Sequence, residues 1–87
     1  MNEPDLFIVT IIFGDENSEL DMELPSQLSI GELRIRIFEI LKNLHEDVFE
    51  GWHSCGLEFK NRVLEDNETL LKAGVFDGSR LYVVETD

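Results

Sequence analysis

The residues of this sequence that could perform chemistry are few and poorly spaced for it. Cys55 is the only cysteine, so an intramolecular disulfide is impossible and a zinc or iron–sulfur site would lack its ligands. His45, Glu46 and Asp47 are consecutive at the end of a predicted helix, where neighbouring side chains point in different directions. We therefore expect no metal site or acid/base pair there, and we expect Cys55 to be an ordinary semi-buried thiol.

Common catalytic motifs are also missing from the sequence. The glycines are scattered and none begins a Gly-Lys-Ser/Thr phosphate loop, and no serine lies in a Gly-x-Ser-x-Gly frame. Glu19, Asp21 and Glu23 alternate along one predicted strand face, where solvent screening leaves carboxylates with ordinary properties. The sequence therefore predicts a protein that is not an enzyme, with no catalytic residue, no cofactor and no metal.

The charge of the chain is strongly negative. Lys and Arg total 7 against 19 Asp and Glu, which gives a net charge of −12, and the first basic residue is Arg34. Such a field repels nucleic acid and anionic lipid, so we expect a protein partner that offers a basic or apolar surface. The alternative is that the charge only keeps a small protein soluble.

The ends and the length of the sequence suggest where the protein acts. The first residues, MNEPDLF, lack the basic start of a signal peptide, and no apolar run approaches the ~20 residues that cross a bilayer. We therefore expect a cytoplasmic protein with no direct membrane insertion. Its 87 residues are enough for one small core, which predicts a single domain over residues 1–87.

The first half begins with a predicted β-hairpin. Residues 7–13, FIVTIIF, are too short for a helix and rich in β-branched and aromatic side chains, which favours a strand. If Thr10 faces solvent, Ile8 and Ile12 share its outer face and the odd-numbered residues face the core. After a turn at residues 14–17, residues 18–24 alternate strictly, with Leu20, Met22 and Leu24 on the core side and the three acids outside.

A helix follows, and two of its apolar residues are candidate contacts for a partner. Ser29 and Glu32 fit a capping box that starts the helix. At 100° per residue Ile35 lies far from the buried stripe, with Phe38 between the two, so Ile35 and Phe38 are candidates for a partner or dimer contact. The alternative is that Phe38 packs under the following loop and Ile35 is a scattered exposed residue. The predicted stripe comprises Ile30, Leu33, Ile37, Leu41 and Leu44, with Ile40 at its flank.

The second half predicts two more strands and a single helical turn. Phe49 and Trp52 are expected to cover the core from an irregular loop, and residues 54–59 form a strand with Glu58 outward. Gly74 closes a helical turn, and residues 81–84 form the closing strand. The order β-β-α-β-β predicts an α+β fold, a mixed sheet packed on one amphipathic helix, with the first and last strands as central parallel neighbours.

The sequence resembles ubiquitin over most of its length. The string VLEDNETLLKAGVFDGSRLYVV follows the order of polar turns and apolar residues found there, and MELPSQLSIGEL is similar to ubiquitin's second strand and capped helix start. The resemblance implies a ubiquitin-like β-grasp fold. In ubiquitin an apolar patch on the open sheet face recruits partners, and the positions matching two of its residues are Glu58 and Val84. A carboxylate there would lose its hydration against an apolar surface, so we expect ubiquitin receptors not to bind this face.

The predicted last strand is followed by Glu-Thr-Asp instead of Gly-Gly. Ubiquitin and related sulfur carriers act through a slim, flexible Gly-Gly end that enters an activating enzyme. We therefore expect a chain that is not conjugated. The alternative from another class is a modifier or sulfur carrier whose sequence here is truncated.

The acidic, tailless form resembles the YukD/EsaB family of type VII (WXG-protein) secretion. The features that carry this resemblance are the loop with Trp52 and the ending AGVFDGSRLYVV. It implies an adaptor or regulator that binds cytoplasmic parts of a membrane-embedded secretion complex. A docking module of another assembly remains the alternative within the same class, and a homodimer remains open. The candidate contact residues are Ile8, Thr10, Ile12, Ile35, Phe38, Glu58 and Val84.

Overall fold

The computed structural model describes residues 5–86, and within them the chain forms five strands and two helices. The closing strand extends to Thr86, two residues beyond its predicted end, while Asp87 of the predicted Glu-Thr-Asp ending lies outside the described residues. In chain order the elements are β1 Leu6–Phe13, β2 Ser18–Pro25, α1 Ile30–Leu44, β3 Ser54–Phe59, β4 Arg62–Val63, α2 Leu70–Ala73 and β5 Arg80–Thr86.

The strands form one mixed sheet in the order β2-β1-β5-β3-β4. β1 and β5 are parallel neighbours at its centre, which confirms the predicted crossover, and the other pairs are antiparallel. β4 is only two residues long and was not predicted as a separate strand. With α1 packed on one face, the predicted α+β layer arrangement is confirmed.

The β1–β2 hairpin has the predicted register of core residues. Phe7, Val9, Ile11 and Phe13 are buried, and Leu20 and Met22 pack against the same core while partly exposed. The intervening turn uses Gly14 at φ +80° and Asn17 at φ +54°, two residue types that adopt the left-handed region readily. The Asn17 amide donates to the Gly14 carbonyl at 3.1 Å, which closes the turn.

α1 starts at the predicted cap, but its last turn is not buried as predicted. The Ser29 hydroxyl accepts a hydrogen bond from the Glu32 amide at 3.3 Å. Leu44 is 60% exposed, so its assignment to the buried stripe is wrong. The reason is that Phe49, from the following loop, fills this end of the core and packs 5.9 Å from Phe13, ring centroid to centroid.

The loop between α1 and β3 covers the core through its aromatic residues, as predicted. Phe49 is buried, and the Trp52 ring meets it edge-on at 5.0 Å. Further along the chain, Thr69 caps α2 by accepting from the Lys72 amide, and Gly74 follows in the left-handed conformation at φ +89°. The helical turn closed by Gly74 confirms the prediction, and the Thr69 cap is an addition from the structure.

Candidate protein-binding surfaces

The sheet face opposite α1 carries most of the candidate residues, and strand register fixes their arrangement. In one row Ile12 of β1 lies between Glu19 of β2 and Tyr82 of β5, and Tyr82 is in turn paired with Glu58 of β3. In the next row Thr10 lies between Asp21 and Arg80. We call this surface the open face; its predicted members are Ile8, Thr10, Ile12, Glu58 and Val84.

Ile12 is not available on the open face, which corrects its prediction as an exposed contact. It is 1% exposed although it lies outside the main core cluster. The physical reason is its position between Glu19 and Tyr82, with Arg80 reaching across to Glu19 at 2.9 Å between guanidinium and carboxylate. The apolar stems of such long side chains cover neighbouring surface. Ile12 therefore stabilises the face from below rather than contacting a partner.

The charged and polar groups of the open face bond to one another. The Thr10 hydroxyl donates to an Asp21 carboxylate oxygen at 2.8 Å. The hydrogen bond to Glu19 raises the pKa of Arg80, and Tyr82 contributes in the same direction. Because the Arg80–Glu19 pair is half-exposed, it contributes little to stability and chiefly orders the side chains.

The remaining open-face residues are accessible. Ile8 is 53% exposed, while Thr10, Glu58 and Val84 are partly exposed. Tyr82, which the sequence reasoning did not name, is 42% exposed in the middle of the face. The alternation of the closing strand from buried Leu81 contained the signal for it. The accessible part of the open face is thus an apolar and aromatic surface bordered by carboxylates.

The back of α1 holds the other two candidates, and only one of them is exposed. Ile35 is 51% exposed. Phe38 is buried, which corrects its prediction as a contact: its ring stacks on Trp52 at 6.4 Å and meets Phe49 edge-on at 5.9 Å, with the Lys42 ammonium 5.0 Å above it. The loop that follows α1 therefore covers Phe38, as the alternative reading of the sequence proposed.

Cys55 is more deeply buried than predicted. It is 1% exposed in the core, and its thiol donates to the Arg34 carbonyl at 3.5 Å. Burial raises the pKa of the Cys55 thiol to about 11, against a smaller opposing effect of Arg34. The thiol is therefore protonated at neutral pH and is a poor nucleophile.

The His45 region is a packing contact. The His45 ring lies 4.8 Å from the Phe13 ring, between centroids. Within residues 5–86, no group of three or more histidine, cysteine or carboxylate side chains is arranged to hold a metal ion.

Two arginine–carboxylate pairs organise the segment after β3. Arg62 binds both Glu68 carboxylate oxygens, at 2.8 and 2.9 Å, and the Glu65 amide also donates to Glu68. These bonds lower the pKa of Glu68 to about 2, and the bond from Arg62 makes the largest contribution. Arg34 similarly forms two bonds to Asp66, which links α1 to this segment. Both pairs hold the segment around β4 in place.

Comparison with known proteins now places the chain. Residues 6–83 match the family model described as the WXG100 protein secretion system (Wss) protein YukD. The chain belongs to the YukD family. Comparison with curated proteins gives no match for this YukD-family protein.

Solved structures similar to this YukD-family protein are ubiquitin-like. The ubiquitin-like domain of the Mycobacterium tuberculosis type VII secretion system protein ECCD1 is 24% identical, with 92% of this chain and 98% of that chain covered and a TM-score of 0.74. For the EccD5 ubiquitin-like domain of Mycobacterium xenopi the identity is 18%, the coverages are 97% and 98%, and the TM-score is 0.79. Caldiarchaeum subterraneum ubiquitin is 26% identical, with coverages of 94% and 95% and a TM-score of 0.68. The predicted ubiquitin-like β-grasp fold is confirmed.

α1, at 15 residues, is the longest helix within residues 5–86, and no helix there has the length and apolarity that a membrane span requires.

Proposed function

We propose that this YukD-family protein is a non-conjugating ubiquitin-like adaptor or regulator that binds other proteins in a WXG100 protein secretion system. The observation that carries the proposal is the family match over residues 6–83. Further support comes from the ubiquitin-like domain of a type VII secretion protein, ECCD1, and from a chain of the MycP5-free ESX-5 inner membrane complex. The latter matches 97% of this chain but only 22% of its own length, with a TM-score of 0.74. We infer that the partner is a cytoplasmic part of the membrane-embedded machinery.

The open face is the first candidate for the partner contact. Exposed Ile8 and Tyr82 supply apolar and aromatic area, which is typical of the centre of protein interfaces. Glu58, beside Tyr82 on this face, disfavours a purely apolar partner surface and favours one that places a basic or hydrogen-bonding group there. The helix back at Ile35 is the second candidate, because it exposes an apolar side chain among charged residues. Replacing Ile35 should leave the core intact.

The test combines export of a WXG protein with capture of the secretion complex. The gene is deleted in its own host, and wild type or a single variant is returned. Ile8→Asp changes the open face and Ile35→Asp the helix back, and the two residues are equally exposed. Leu44→Asp is the matched control, because Leu44 is exposed but belongs to neither surface. Circular dichroism verifies that each variant is folded.

We expect the deletion to reduce export and the wild-type protein to co-purify with subunits of the membrane complex. One of the two surface variants should lose both properties, while Leu44→Asp keeps them. Unchanged export after deletion would contradict the proposal. A covalent adduct on the chain, detected as added mass on the purified protein, would instead support the modifier or sulfur-carrier alternative.

A further inference from the structure

The outer edge of β2 carries backbone groups that face away from the sheet. Within residues 5–86, β2 is the end strand of the sheet and pairs only with β1. The Thr10 amide donates to the Ser79 carbonyl at 2.9 Å, and the Ile8 carbonyl accepts from Gly78 at 2.9 Å, so these residues turn their backbone groups away from β2. Their partners in the antiparallel register are Asp21 and Glu23.

Antiparallel geometry then fixes the direction of the β2 backbone groups. Residues directly opposite each other in such a pair either exchange two hydrogen bonds or both point their groups away from each other. Because Thr10 and Ile8 point away from β2, Asp21 and Glu23 point away from β1. Their N–H and C=O groups therefore face outward along the edge, where another extended chain can pair with them.

On the helix side, this edge is lined by apolar residues. Leu20 and Met22 of β2 are only partly buried, and Ile40 of α1 is half-exposed. Arg34 of α1 donates to the Cys55 carbonyl of β3 at 3.5 Å, and β3 lies on the other side of the central strands from β2. At ~100° per residue Arg34 and Ile40 lie on opposite flanks of buried Ile37, so Ile40 lies on the flank toward β2. Strand β2 and helix α1 thus leave an apolar border beside the free backbone groups.

On the open-face side the same edge is acidic, and this determines what can pair with it. Glu19, Asp21 and Glu23 project from one side of β2. Antiparallel pairing of β2 with a second copy, centred on Asp21, would place Asp21 opposite Asp21 and Glu19 opposite Glu23. Like charges directly opposite each other destabilise a strand pair, whereas basic side chains at those positions stabilise it. The charges therefore oppose a homodimer through β2 and favour a basic strand.

We propose that the outer edge of β2 binds an extended segment of a partner protein in which basic and apolar residues alternate. The segment adds to the sheet as a further strand. Its basic side chains pair with Glu19, Asp21 and Glu23, and its apolar side chains contact Leu20, Met22 and Ile40. This inference rests on the proposed function and specifies the chemistry of the partner. The competing explanation is that the acids only protect an edge strand from pairing.

The first test uses a synthetic probe with the purified full-length protein. The probe is an acetylated, amidated seven-residue peptide of alternating lysine and valine. A peptide of the same composition with its lysines grouped at one end controls for charge. We expect the alternating peptide to bind about tenfold more tightly by calorimetry. It should also slow hydrogen exchange of the Asp21 and Glu23 amides. Equal binding of the two peptides, or unchanged exchange at these amides, would overturn the proposal.

The second test compares two variants that have the same charge but differ in one outward N–H. Asp21→Pro lacks the N–H, and Asp21→Ala keeps it; both lose the carboxylate and its bond from Thr10. Proline is tolerated here because the missing N–H has no partner within the sheet. We expect Asp21→Pro to bind the alternating peptide about fivefold more weakly than Asp21→Ala, the loss of one net hydrogen bond. Equal affinity would contradict strand addition. Glu23→Pro and Glu23→Ala repeat the comparison if Asp21→Pro does not fold.

Failure of this inference is distinguishable from failure of the proposed function. If Asp21→Pro still captures the secretion complex and supports export as well as Asp21→Ala, the edge proposal fails while the proposed function stands. If the alternating peptide binds as expected but deletion of the gene leaves export unchanged, the proposed function fails and the edge remains a peptide-binding site.

Discussion

Phe49 fills the end of the core beside the last turn of α1, a position that the periodicity of α1 assigns to Leu44. Phe49→Ala removes a buried ring that meets Phe13, Phe38 and Trp52 at centroid distances of 5.9, 5.9 and 5.0 Å. Deleting a buried phenylalanine costs about 3 to 5 kcal/mol. A chain of 87 residues has a total stability of roughly 4 to 13 kcal/mol. The variant should therefore lose a large part of its stability.

Leu44→Ala is the matched control for this experiment, because the periodicity of α1 predicts Leu44 to be buried and the structure exposes it. Its free energy of unfolding should change by about 0.5 kcal/mol or less. Urea unfolding followed by circular dichroism measures both variants. For a loss of 3 kcal/mol and an m-value of about 1 to 2 kcal/mol/M, the midpoint for Phe49→Ala falls by roughly 1.5 to 3 M.

The result that would refute this reasoning is an equal or larger loss for Leu44→Ala. Leu44 would then cover the end of the core, and the loop aromatics would lie against the surface. Phe49→Leu provides a graded check, since it keeps most of the apolar volume and should fall between wild type and Phe49→Ala.

Three further predictions concern burial and ionisation. Ile12→Asp should unfold the protein or cost several kcal/mol, because it places a carboxylate where Ile12 is buried. Ile8→Asp should leave thermal unfolding nearly unchanged, because Ile8 is exposed. Equal effects of the two variants would contradict the assigned burial. The Glu68 carboxylate has a pKa of about 2 in the fold against 4.5 ordinarily, because of Arg62. It stabilises the fold above pH 4.5, and this contribution is lost as the pH falls toward 2. Glu68→Gln should therefore show a weaker loss of stability over that range, and an unchanged pH profile would contradict the assignment. With a pKa of about 11 against an ordinary 9.0, the native Cys55 thiol should react with iodoacetamide at neutral pH at least roughly a hundredfold more slowly than in the unfolded chain; mass spectrometry over time would reveal any faster reaction.

Features set by neighbouring residues could be predicted from the sequence. The Ser29 cap, Gly74 at the end of α2 and the alternation around Thr10 each depend on a few consecutive positions. The parallel central strands followed from the general handedness of crossovers. Because neighbouring residues or a general rule of chain geometry determine these features, the structure adds detail to them without changing them.

The errors share a different cause, which is cover supplied by distant parts of the chain. Ile12 is buried because Glu19 and Arg80, 61 residues apart, bond across it. Phe38 is buried and Leu44 is not because the loop after α1 folds back with Phe49 and Trp52. Periodicity identifies the face on which a side chain lies but not what lies above that face. The predicted exposure is therefore confirmed where nothing covers the side chain, at Ile8 and Ile35, and wrong where distant residues cover it, at Ile12 and Phe38; the contacts themselves stay predictions.

The position of the negative charge gives it a meaning that composition alone does not have. In the sequence, Glu19, Asp21 and Glu23 read as a solvated strand face that keeps the protein soluble. In the fold they lie on the end strand of the sheet, and within residues 5–86 no strand pairs with the outward backbone groups of Asp21 and Glu23. At that position the same charges oppose pairing with another copy and favour a basic strand. Replacing all three acids with lysine should therefore weaken binding of the alternating lysine–valine peptide and strengthen binding of a glutamate–valine peptide. If the acids only keep the protein soluble, the replacement should not change which of the two peptides binds more tightly.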